Sequence, residues 1–134
     1  MLADAATVAD GKLYVHGGGW SYLIVDEVPT EYPSFSLVFV LEMNGSETPG
    51  RIPLDLEVVS GDSPVAGVRG WLEVPGDGGG AGGAGTPALV TNHVTFTNVR
   101  LSELGAYAVR IASEGEELGR VNLHVVRRDE SSSA

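Results

Sequence analysis

The sequence predicts an all-β protein, an antiparallel sandwich with little or no helix. Three observations predict it. Apolar residues alternate with polar ones at 35–43, 52–58 and 121–125, the period of a strand with one buried face. Turn-forming pairs and Gly/Pro clusters separate these runs. No stretch repeats its apolar residues every 3.6 positions over helical length.

The first element is a hairpin. Asp10-Gly11 lies between two short β-compatible runs, and Asp-Gly suits a two-residue type I′ turn. That turn pairs Ala9 with Lys12, Val8 with Leu13, Thr7 with Tyr14 and Ala6 with Val15. Side chains alternate across a strand, so Ala6, Val8, Leu13 and Val15 share an apolar face. Lys12, Tyr14 and His16 share the other face with Thr7. Asp4 falls on the apolar side opposite Gly17. A carboxylate there must be hydrogen-bonded, and the backbone N–H groups of residues 17–19 are the natural donors. Asp4 is therefore a candidate structural anchor. The glycines at 17–19 supply backbone freedom and close approach. Trp20 is expected to close one end of the core, a second anchor.

The stretch Ala3–Trp20 resembles the N-terminal signature of an uncharacterised bacterial family, a domain of unknown function. The shared pattern is Ala-Asp-Ala-Ala-x-Val-Ala-Asp-Gly-Lys-Leu-Tyr-Val-x-Gly-Gly-Gly-Trp. The resemblance continues more weakly to a C-terminal Gly-x-Tyr strand. It implies a small β-sandwich and carries no activity, cofactor or catalytic residue with it.

After Trp20, residues 22–25 read as a short strand and Asp26–Pro33 as a loop. Residues 34–43 give the strongest strand signal. Phe35, Leu37, Phe39, Leu41 and Met43 lie on one parity, with Ser36, Val38, Val40 and Glu42 on the other. Val38 and Val40 are then expected on an outer face, where Trp71 could join them in an apolar interface. Asn44–Gly50 reads as a turn. Residues 51–59 place Ile52, Leu54, Leu56 and Val58 inward, with Arg51, Asp55 and Glu57 on a solvated face. A turn at 60–64 leads to a strand at 65–75, with Val68, Leu72 and Val74 opposite Arg69, Trp71 and Glu73. Residues 76–86 are Gly-rich and read as a flexible loop within one domain. A strand pattern resumes at 87–101, with Leu89, Val94, Phe96, Val99 and Leu101 and an irregularity near Asn98.

The spacing Glu103-x-Gly105-x-Tyr107-x-Val109 resembles the tyrosine corner of immunoglobulin-type domains. It refines the fold to an immunoglobulin-like sandwich and makes Tyr107 the third anchor. Tyr107, Val109 and Ile111 face the core. After a turn at 113–116, residues 117–127 form the final strand, with Val121, Leu123 and Val125 inward and Asn122 and His124 outward. One domain at 1–128 and a polar tail at 129–134 follow.

Composition narrows function. The 134 residues carry a net charge of −10, which argues against nucleic acid and anionic membrane surfaces as partners. There is no cysteine, hence no thiol nucleophile and no Cys-ligated metal. No signal peptide or membrane span is legible near the start, and the cytoplasm is the expected location. His16, His93 and His124 lack ligand spacing. Asp26, Glu27, Glu31, Asp62 and Asp77 lie in loops without a calcium-loop pattern. The Gly-rich loop lacks the Lys-Ser/Thr pair of a phosphate cradle. No cofactor or metal is expected. The reading is a non-enzymatic sandwich working through its surface, as a homodimer or docked to another bacterial protein. The alternative is a small-molecule or carbohydrate-binding module that stacks ligands on Trp20, Trp71, Tyr22 or Tyr32. Two of these exposed on one concave surface would favour it.

Overall fold

The computed structural model describes residues 1–10, 12–43, 50–74 and 88–128. The Gly-rich segment 76–86, the turn at 44–49 and the tail 129–134 lie outside the described residues. Among the described residues nine strands follow one another: β1 (Leu2–Ala9), β2 (Lys12–Trp20), β3 (Tyr22–Val25), β4 (Thr30–Met43), β5 (Gly50–Ser60), β6 (Ser63–Val74), β7 (Ala88–Leu101), β8 (Gly105–Ser113) and β9 (Glu116–Arg127). They form two sheets, ordered β2-β1-β4-β7 and β3-β9-β8-β5-β6. The fold is nearly all β, as expected.

Alternation sets the inner faces. Phe35, Leu37 and Phe39 from β4, Leu54, Leu56 and Val58 from β5, Phe96 from β7, Val109 from β8 and Leu123 from β9 join one buried cluster between the sheets. Phe35 sits at its centre. It packs on Phe96 at 5.5 Å between ring centroids, and Trp20 and Tyr32 meet it edge-on at 6.0 and 6.2 Å. Such edge contacts place the positive rim of one ring on the negative face of another.

The hairpin register is the expected one, from Ala9↔Lys12 to Ala6↔Val15. It shifts between Leu2 and Ala3, where Leu2 pairs with Trp20 and Ala3 with Gly18. Gly19, the residue left over, has φ +87°, the conformation a glycine supplies in such a bulge. Gly17 has φ +60°. That conformation favours glycine, and the Asp4 carboxylate lies over its bare Cα.

Three expectations are corrected. The fold is not wholly antiparallel: β3 pairs in parallel with β9, from Tyr22↔His124 to Val25↔Arg127. The chain passes from β2 through Ser21 into β3 and so changes sheets, arriving beside the last strand. The loop expected at 26–33 is shorter, because β4 already begins at Thr30. Pro33 is accommodated opposite Asn98, whose φ is +52°. The flanking pairs are Tyr32↔Val99 and Ser34↔Thr97, and a proline without an N–H belongs at such an irregularity. Leu89, expected in the core pattern, is exposed, because it pairs with Glu42 on the outward parity of β4.

β1 leaves the sheet early. Its pairing with β4 is Leu2↔Leu37 and Ala3↔Ser36, preceded by the Met1 ammonium donating to Val38 O at 2.9 Å and Val38 N–H donating to Met1 O at 2.8 Å. Burial of that ammonium lowers its pKa. The α-carbons of β1 and β2 nevertheless come within 8 Å of those of β7. In a flat sheet, next-but-one strands are about 9.6 Å apart. The hairpin therefore leans over the outward face of β4, and Ser36 and Val38 on that face are buried. Ser36 Oγ is hydrogen-bonded to Thr95 Oγ1 at 2.9 Å, which satisfies its burial.

Candidate interaction site

Tyr107 forms the corner its spacing predicts. Its hydroxyl donates to Glu103 O at 2.8 Å and accepts from Glu103 N–H at 3.3 Å. The ring is buried in the core, so one side chain ties the entry of β8 to the sheet interior. Trp20 is half-buried against Phe35. Its Nε1 is buried with no hydrogen-bond partner among the described residues.

Asp4 differs from expectation. It is exposed, lying over the bare Cα of Gly17. No side chain stands there to cover it, and the hairpin has already parted from β4. The proposed apolar patch also divides. Val38 is 5% exposed, Val40 54% and Trp71 65%. The leaning hairpin covers Val38 and stops short of Val40. Trp71 pairs with Pro53 on the outward face of the other sheet, so the three do not form one surface.

The remaining polar residues are also placed. Asp55 holds Arg69 at 2.8 Å, and Arg110 bridges Glu57 at 2.8 Å and Glu117 at 3.1 Å. Arg120 donates to Glu117 at 2.9 Å. The hydrogen bond from Arg120 lowers the Glu117 pKa, aided by Arg110, and the same pair raises that of Arg120. Asp55, Glu57, Arg69 and Arg110 line a polar depression of about 360 Å³ over β5, β6 and β8. His16 and His93 belong to the first sheet and His124 to the second. His124 stacks on Tyr22 at 5.6 Å. Among the described residues, no three His, Cys, Asp or Glu converge on a point that could hold a metal. No helix among them is long and apolar enough to cross a membrane.

What alternation did not reveal is an opening between the sheets. On one side β6 and β7 approach within 8 Å and close the fold. On the other, the edge of β4 beyond Val38 faces the first half of β9 across a cavity of about 470 Å³. Leu37, Phe39 and Leu41 form one wall, Val109 and Ile111 the back, and Leu118 and Val121 the other wall. Met1, Leu13 and Arg120 also line it. Leu118 is there because of a bulge: Ile111 pairs with Gly119 and Ala112 with Glu117, leaving Leu118 as the extra residue. It is 46% exposed. Its off-parity position relative to Val121 and Leu123 was the sequence signal for this displacement.

Both strand edges at the mouth lack neighbours among the described residues. Val38 directs its N–H and C=O toward Met1, so the alternation of backbone groups directs those of Val40 and Glu42 to the same side. No described residue pairs with them there. Across the mouth, His124 N–H donates to Ser21 O at 2.8 Å, and β3 pairs only with residues 124–127. The same edge of Arg120 and Asn122 has no strand beside it among the described residues.

The described residues thus define a two-sheet β protein with one side left open among them. The chain belongs to a family of unknown function, DUF6941, whose model matches residues 1–126. No curated protein matches it. Among solved structures it is similar to the alkylpurine DNA glycosylase AlkC of Pseudomonas fluorescens, bound to DNA containing an abasic site analog. The identity is 17%, the TM-score 0.46, and the match covers 79% of this chain. The chain spans only 28% of the glycosylase.

Proposed function

We propose that this protein is a non-enzymatic, immunoglobulin-like sandwich that docks another protein through its surface. The observation that carries the reading is the open side: free strand edges flanking an apolar cavity. Exposed edges are templates for pairing and are ordinarily blunted or covered. The Tyr107 corner supports the immunoglobulin-like description, because the hydroxyl bonds its own backbone just upstream as in that class.

The ligand-stacking alternative has less support. Trp20 and Tyr32 are spent on Phe35. Tyr22 and Trp71 lie on the two edge strands of one sheet, four strand spacings or about 19 Å apart. Two aromatics at that separation do not clasp one sugar ring.

The test is capture of cross-linked partners from the native host, with untagged protein as competitor. The reading expects a protein retained by the bait and displaced by the competitor. Retention that the competitor leaves unchanged counts against docking. Light scattering of the purified protein at about tens of micromolar separates the homodimer version, which expects a dimer mass.

A further inference from the structure

We draw no further inference here: the strongest candidate, the apolar cavity between β4 and β9 walled by Leu37, Phe39, Leu41, Ile111 and Leu118, carries nothing because nothing in the structure shows what covers it.

Discussion

The two edges of β4 are built from the same residues and have opposite fates. Toward β7 the strand is paired from Thr30 to Met43, interrupted only at Pro33. Toward β1, among the described residues, it is paired only around Met1–Ala3. Odd positions near its C-terminal end direct their backbone groups to β7, and even positions direct theirs to the open side. Adjacent residues therefore report on a closed and an open ladder within one strand. Side-chain burial follows a different rule: Val38 and Val40 share a parity, yet only Val38 lies under the leaning hairpin.

The largest expected effect sets the scale. Phe35 is fully buried among three aromatic rings, and Phe35→Ala should cost about 3–5 kcal/mol, read from chemical denaturation. A smaller loss would mean that the aromatic cluster collapses to fill the space. The edge comparison itself comes next. Leu41→Pro deletes a ladder N–H and strands the acceptor on Val90, at roughly 1–3 kcal/mol besides the lost side-chain contact. Val40→Pro removes an N–H with no described partner and should stay within about 1 kcal/mol of wild type. Equal losses at the two positions would show that the even edge is paired after all. Tyr107→Phe keeps the ring and removes both bonds to Glu103, for about 0.5–1.5 kcal/mol. Asp4→Ala should move stability by no more than about 0.5 kcal/mol, as at other exposed sites. A loss of several kcal/mol would restore the buried-anchor account of Asp4.

The smallest effect is electrostatic. The folded pKa of Glu117 lies below its ordinary value. Its ionised form is thus favoured by folding, and the stabilisation is present above the unfolded pKa near 4.5. It fades as the pH falls through the lower, folded value. Glu117→Gln should flatten the acid limb of the stability profile slightly. Raised salt should act on this exposed network in the same direction.

Much of this was legible beforehand because it is local. The Asp-Gly turn determines the hairpin register within a few residues, and the period of two identifies Phe35, Leu56 and Leu123 as inward. Tyr107 and Asn98 were marked by spacing and by a break in the pattern. The errors concern which segment covers which face. Asp4 was assigned by parity to a core that the hairpin has already left. Val38 and Val40 looked alike because alternation contains no information about a hairpin folding back. The parallel pairing of β3 was hidden because its partner lies at the far end of the chain. The cavity depends on where pairing stops, and on a bulge at Leu118 that its parity alone could have suggested.

That far-end partner has a consequence during synthesis. β3 leaves the ribosome about a hundred residues before β9, its partner. The ion pair just beyond them joins Asp26 to Arg128 across 102 positions. Until residues 124–127 emerge, β3 has no backbone ladder to join among the described strands, although Leu23 and Val25 belong to the finished core. Chains dominated by such distant pairings fold on the order of milliseconds to seconds, slowly enough for an exposed strand to meet other chains. β3 is therefore open to misassembly until β9 has been made, and its release from that state waits on a strand about a hundred residues further along.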